Sequence, residues 1–372
     1  TNRWLHTLLL LGILSGAISV RMKDYDWIKS LRHLAFDTYN QIHERPPGDA
    51  AVIIDLDDVS LQDDKLGQWP WPRTTVAQLV DNLKAMGATA VVFAMVFAEE
   101  DRTSPSVLIK RLPEGKLSET SITELSSLPH NDDILVNSFS NAGMVVTGFT
   151  WATSELATRH EPRLTSSILF GKDTQSLQKN AMPMRGVTTN LQILENSAAG
   201  NGCFGVSPEV DGIIRQVPLF FRLNDAEGNS LRLYPSLAME ALRVSQDPRL
   251  PYKIRKLKDG EASLFSPDMI LNIGEYTIPL GADGIFHVYF SKRDPQNYIP
   301  AWTVLDKSVD ASRIKGKIAL VGTSAEGLKD IRSTPLDLYI PGVDVHLNII
   351  EQVKQGRFLL RPALVQGAEI LF

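Results

Sequence analysis

Carboxylates gather where three short apolar runs end. Asp55, Asp57 and Asp58 close the run at 51–56, Glu99, Glu100 and Asp101 lie just past the run at 89–93, and the segment 323–330, ending in Asp330, comes after the run at 317–322. Short, β-rich apolar runs suit strands of a parallel sheet covered on both faces. Ligands of such sheets bind beyond the carboxyl ends of the strands, so Asp55, Asp57, Asp101 and Asp330 are expected to meet Arg73 and His346 at one rim. Clustered carboxylate oxygens are what Ca²⁺ or Mg²⁺ requires, and a metal-bound water beside a base would make a hydrolase. Alternatively, Arg73 and His346 neutralise the acids as internal ion pairs, or the acids cap helices. A divalent ion is allowed by these residues without being required by them.

Other chemistries lack their residues. There is no G-x-S-x-G, Walker or G-x-G-x-x-G pattern, and His160, Cys203 and His346 have no zinc spacing. Gly322-Thr323-Ser324, with Gly327 just beyond, could at most form a turn that approaches an anion. The single cysteine, Cys203, rules out an intrachain disulfide. A formal net charge of −5 argues against a nucleic-acid partner, which needs a basic surface. With 372 residues, 43% of them hydrophobic, the chain has ample material for a buried core.

The runs at 51–56 and 89–93 flank a helical pattern at 75–86, where Thr75 and Gln78 read as a capping box and Gly87 as the stop. That is a βαβ unit. The runs at 143–149 and 317–322 extend its sheet, and 343–354 reads as a covering helix closed at Gly356. Asp211-Gly212 and Asp283-Gly284 each look like a hairpin turn, and 225–229 like a longer one. The polar stretches 102–129 and 154–189 read as surface excursions. In the Trp69-Pro70-Trp71-Pro72 string the prolines remove two backbone donors, which stiffens Trp69 and Trp71 into a lid over a core edge or a ligand wall.

The ends of the chain differ from its middle. Residues 4–20 (WLHTLLLLGILSGAISV) carry no Asp, Glu, Lys or Arg across 17 positions. At ~1.5 Å per residue this is a marginally short membrane-spanning helix, or else a signal peptide, and both readings export the rest of the chain. Residues 363–372 begin another apolar run after Arg357 and Arg361. Between 22 and 42, Tyr25, Ile28, Leu31, Leu34, Ala35, Tyr39 and Ile42 recur at spacings of three and four, giving one apolar helix face before Pro46-Pro47 ends it. This stripe either packs on its own domain or forms a stalk that pairs with a second copy.

Several blocks are specific enough to suggest a family. VIIDLDD (52–58), WPWPR (69–73), GATAVVFAMVFAEED (87–101), DGIIRQVPL (211–219), YPSLA (234–238), KGKIALVGTSAEGLKD (315–330) and YIPGVDVHLN (339–348) together resemble the type-two CHASE domain. That domain is the extracellular sensor of bacterial nucleotide cyclases, histidine kinases and related receptors. The resemblance spreads over about 24–362. It implies a bacterial inner-membrane receptor whose periplasmic or extracellular part detects an unknown signal and catalyses nothing itself. The output domain would lie outside this chain, an adenylate or guanylate cyclase first, with a histidine kinase, serine/threonine kinase or diguanylate cyclase behind it. A dimeric output enzyme would suit a homodimer.

The expected organisation is a transmembrane helix or signal anchor at 1–20, a stalk helix at 21–45, the sensor domain at 46–362 and the start of a second transmembrane segment at 363–372. The expected fold class is α/β, a mainly parallel sheet core flanked by helices, with antiparallel hairpin additions and a preceding transmembrane helix. One departure weakens a metal site. The family pattern usually has an aspartate where this chain has Ala94. Two other functions compete with the sensor: a secreted metal-dependent hydrolase using the acidic rim, and a ligand-free dimerisation module.

Overall fold

The computed structural model describes residues 25–113, 115–152, 154, 159–224, 231–258, 266–328 and 330–360, with scattered positions before residue 25. Nine of the 17 positions of the apolar segment 4–20, and all of 363–372, fall outside the described residues. Among the described residues no helix is long and apolar enough to cross a membrane.

Seven strands form the central sheet: β1 (Ala51–Asp55), β2 (Ala90–Phe93), β3 (Val145–Ala152), β4 (Gly186–Thr188), β5 (Gly200–Cys203), β6 (Tyr298–Pro300) and β7 (Ile318–Gly322). Their order is β6-β1-β7-β2-β3, and the outer edge of β3 pairs with β5 over its first half and β4 over its second. Every pairing is parallel except that of β3 with β4. The expected βαβ unit is present, with β7 inserted between its two strands so that Leu320 faces both Ile53 and Val92.

Five helices matter to the site: α1 (Asp26–Ile42), α2 (Arg73–Ala85), α3 (Asn131–Ala142), α4 (Leu237–Val244) and α5 (Gly342–Gln355). Successive side chains of a strand point to opposite faces, so the sheet sorts its residues by parity. Ala51, Ile53, Val92 and Leu320 join the core under α4 and α5, whereas Val52, Ile54, Val91, Phe93 and Val321 join the core under α2 and α3. Both faces are covered, which is why these strands are apolar throughout; each fully buried Val, Leu or Ile contributes roughly 1.5–3 kcal/mol. Glu351 of α5 receives the backbone N–H groups of Ala50 and Ala51 at 2.7 and 3.0 Å, fixing where β1 begins.

Antiparallel structure does occupy the middle of the chain, but not through the expected turns. Asp283-Gly284 joins strands of two different sheets, because Tyr276–Leu280 pairs with Met269–Ile273 while Ile285–His287 pairs with Gln216–Pro218. Asp211-Gly212 is a turn with no paired strand in the described residues just before it. Phe220–Asn224 and Leu231–Pro235 do pair antiparallel, while the longer turn expected between them, 225–229, lies outside the described residues. The stretch 102–129 carries two short helices, Pro105–Arg111 and Glu119–Ser127, and 154–189 supplies β4 to the main sheet. The helix expected from Thr75 begins at Arg73 instead, with Pro72 as its N-cap and no side-chain cap of its own.

Candidate functional site

The acids at the strand ends separate by face. Asp55 continues the parity of Ala51 and Ile53, toward α5, where its Oδ1 and Oδ2 accept the Ser324 backbone N–H and hydroxyl at 2.8 and 2.6 Å. Burial pushes its carboxyl up, against the lowering effect of both Ser324 bonds. Asp344, 4% exposed in the first turn of α5, accepts the Tyr298 hydroxyl; burial raises it to about 6 despite that bond. Neither Asp344 nor Tyr298 was expected at the rim.

Arg73, Asp101 and Asp132 form a second group on the α2 and α3 side. The Arg73 guanidinium lies 4.6 Å from the Phe97 ring centroid, pairs with Asp132 Oδ1 at 3.3 Å and donates to the Glu99 carbonyl at 3.0 Å. Asp101 Oδ2 accepts the Arg73 backbone N–H at 2.7 Å and the Asn131 amide at 2.9 Å, while its Oδ1 accepts the Thr103 N–H and hydroxyl, both at 2.8 Å. A carboxylate has about four acceptor positions, and here protein donors take them all. Burial acts upward on Asp101, but these bonds outweigh it and leave the carboxyl below its usual range. This group therefore caps α2 from 28 residues away, a remote substitute for the expected capping box, with negative charge placed favourably at a helix N-terminus.

The remaining candidates stand apart. Asp57 Oδ1 accepts the Ser60 N–H at 2.8 Å in a local turn, and Asp330 pairs with Arg332 at 2.9 Å. His346 is 2% exposed, with Nε2 3.2 Å from the Phe204 carbonyl. A carbonyl can only accept, so Nε2 carries the proton and Nδ1 is a bare acceptor, buried without a partner among the described residues. Burial pulls this imidazole down to about 4. Trp71 is 1% exposed and donates Nε1–H to the Gly67 carbonyl at 2.8 Å, with Trp69 edge-on to it at 5.4 Å. Ala94 packs against the core on the α4 and α5 side, the opposite face from Arg73. The single rim expected from Asp55, Asp57, Arg73, Asp101, Asp330 and His346 thus becomes separate clusters, because parity turns Asp55 toward α5 while Arg73 opens α2, which covers the opposite face of the sheet.

A different charged centre holds α1. Arg215, 3% exposed, uses all five of its N–H donors on carboxylates. Nε and Nη2 reach the two oxygens of Asp37 on α1 at 2.7 and 2.8 Å, Nη1 reaches Glu209 at 2.6 Å, and Nη1 and Nη2 reach Asp211 at 3.1 and 2.7 Å. His33 of α1 adds Nε2 at 3.1 Å from Glu209. His33, Glu209 and Asp211 present atoms within 4.8 Å of one another, as a metal site would, but Arg215 already occupies both acids. Just beyond α1, buried Arg45 donates to the Tyr289 carbonyl at 2.7 Å and to Asn348 and Gln355 of α5 at 2.9 and 3.1 Å. The helix is thus fastened through its polar side, while Trp27, Leu31, Leu34 and Ile42 are 56–69% exposed.

A family model of the CHASE2 domain matches residues 7–372. The chain belongs to the CHASE2 domain family. CHASE2 domains are extracellular sensors of signalling receptors, in keeping with a periplasmic position for this one. No curated protein and no solved structure matches the chain. Within this CHASE2 domain the Arg215 centre was the residue set that sequence reasoning passed over. Its signal was present: DGIIRQVPL puts one arginine in an apolar run, four residues after Asp211. A buried arginine needs acceptors for its donors, and α1 supplies a carboxylate.

Proposed function

We propose that this chain is the extracytoplasmic sensor of a membrane-anchored bacterial receptor, passing an external signal through α1 to a cytoplasmic output domain of the adenylate or guanylate cyclase type. Residues 4–20 would cross the membrane before the 21–45 stalk, 46–362 would be the sensor body, and 363–372 would open the second span. The observation that carries this reading is the posture of α1, whose polar side is fastened to the body by Asp37 and Arg215 while its apolar side faces outward. A helix held by charge can be released or shifted by a modest change at its contacts. Trp27, Leu31 and Leu34 are spaced by four and three, a seam that can receive the same seam of a second copy. A homodimer through this seam would suit an output enzyme that works as a pair.

The hydrolase reading has less support, since Asp101 and Asp55 spend their oxygens on protein donors instead of leaving them to a metal. Protease treatment of spheroplasts tests the sensor reading. The body should be cleaved while a cytoplasmic marker survives; a body protected together with that marker overturns it. Leu31→Glu with Leu34→Glu should convert a sedimenting dimer to a monomer, and an unchanged species would remove the seam.

A further inference from the structure

Beside the first turns of α5 lies a cavity of about 60 Å³, several times the space that one water needs. Two of its lining side chains are almost wholly buried yet keep polar atoms to spare. Asn297 ends the short turn that leads into β6; it is 8% exposed, and its side-chain amide makes no hydrogen bond among the described residues. Asp344, 4% exposed, accepts the Tyr298 hydroxyl at Oδ2 and leaves Oδ1 without a partner among the described residues. Buried polar groups nearly always find partners, so two open ones that line one cavity point to an occupant.

Arg293 borders the same cavity from the exposed side. Its guanidinium lies 4.3 Å from the Tyr298 ring centroid and forms no ion pair among the described residues. Asp294 and Asp337 also line the space, each with Oδ1 accepting a backbone N–H, from Gln296 at 2.9 Å and from Tyr339 at 3.0 Å. Three carboxylates disfavour a plain anion, and the guanidinium among them disfavours a plain cation. A molecule carrying both charges meets both kinds of partner, and the Asn297 amide, which donates and accepts, suits either end of it. The walls also reach the anchors of α1. Asn348 of the cavity accepts Arg45 at 2.9 Å, and the cavity's Leu336 follows Pro335, whose carbonyl accepts Gln41 at 3.1 Å.

We infer that this cavity binds the zwitterion of a small α-amino acid, its ammonium on Asp344 Oδ1 and its carboxylate on Arg293 and Asn297. The volume suits such a head and leaves no room inside for a long side chain. That this binding serves as the signal, through the contacts of Gln41 and Arg45, rests on the sensor reading; the binding chemistry does not.

The test uses the whole 372-residue chain in nanodiscs of zwitterionic lipid at neutral pH, with glycine, methylammonium and acetate as probes and calorimetry as the readout. Glycine should bind at least ten-fold more tightly than either single-charge probe. Arg293→Gln, at an exposed position that the fold does not need, should bring glycine down to the methylammonium level. Asn297→Leu, close to the parent in volume, should weaken glycine at least ten-fold. Equal binding of all three probes, no glycine binding by the parent, or an Arg293→Gln chain that binds glycine like the parent overturns the proposal. Binding measured this way does not depend on export. Failed export with binding intact removes the sensor reading alone, and failed binding with export intact removes the site alone.

Discussion

Asp37 and Arg215 meet through two parallel bonds, Nε to Oδ1 at 2.7 Å and Nη2 to Oδ2 at 2.8 Å, although 178 residues separate them in sequence. Bidentate carboxylate–guanidinium pairs are among the stronger and most directional protein contacts. This one joins the entering helix to the body, beside Gln41 donating to the Pro335 carbonyl at 3.1 Å and ring contacts of Phe36 with His287 and of Tyr39 with Tyr289. The Asp37–Arg215 pair is the charged and most directional of these contacts.

Removing Asp37 should free α1 and leave the sheet intact. Arg215 would keep Glu209 and Asp211, so the loss is one partner of a largely buried network, about 3 kcal/mol of helix docking. Hydrogen exchange should show 26–42 losing protection in Asp37→Ala while β1, β2 and β7 keep theirs. Protection falling equally everywhere would mean that α1 belongs to the global folding unit.

Two buried groups should pull the acid response in opposite directions. Asp344 titrates near 6 in the fold against ~3.9 in the unfolded chain, so its stabilising contribution is full below ~3.9 and is lost as pH rises through 6. His346 titrates near 4 against ~6.5, so its contribution is full above ~6.5 and is lost as pH falls through 4. Each is worth about 3 kcal/mol, and between pH 4 and 6.5 they largely cancel. Asp344→Asn, whose amide oxygen can still accept the Tyr298 hydroxyl, should become steeply acid-sensitive in that window. His346→Gln should gain stability as pH falls through it. Urea melts at several pH values check both, and profiles parallel to the parent would sink the assignment.

The strands were legible because a strand buried on both faces must be apolar along its length, and 51–56, 89–93 and 317–322 are. The site was less legible for a physical reason. Strand ends place residues at one rim, but parity turns Asp55 toward Asp344 on one face, while Arg73 opens the helix on the other face and there meets Asp101. The apolar stripe of α1 was plain in its spacing, yet spacing cannot say whether the stripe or the opposite face meets the body. Asp37 decides it, through an arginine no local pattern connects to it. The Asp283-Gly284 turn misled because the rule assumes that the flanking runs pair with each other, whereas Ile285 pairs with Pro218.

The two tryptophans should differ in energetic weight. Trp71 is 1% exposed and packs within the α2-side core, whereas Trp69 lies at its margin, partly exposed. Trp71→Ala should cost about 3–5 kcal/mol, the range for a large aromatic removed from a core, and Trp69→Ala clearly less. Equal costs in denaturant melts would contradict a supporting role centred on Trp71.

Divalent ions provide the last test, and position 94 its most informative variant. Asp101 has its acceptor positions filled by Arg73, Asn131 and Thr103, and Asp55 is bound at both oxygens by Ser324. An ion would have to displace those donors, so millimolar Ca²⁺ or Mg²⁺ should leave the parent Tm unchanged. Ala94→Asp puts a carboxylate beside apolar groups on the α4 and α5 side, too far round the sheet to meet Arg73. Partial burial of an unpaired polar group costs about 1–3 kcal/mol, so the variant should melt below the parent with or without ions. Calorimetry of both chains, with chelator and then with each ion, decides the matter. A Tm for Ala94→Asp that rises only when Ca²⁺ or Mg²⁺ is added would show that the new carboxylate completes an ion site with Asp55 and Asp344, and would overturn the view that these acids hold no divalent ion.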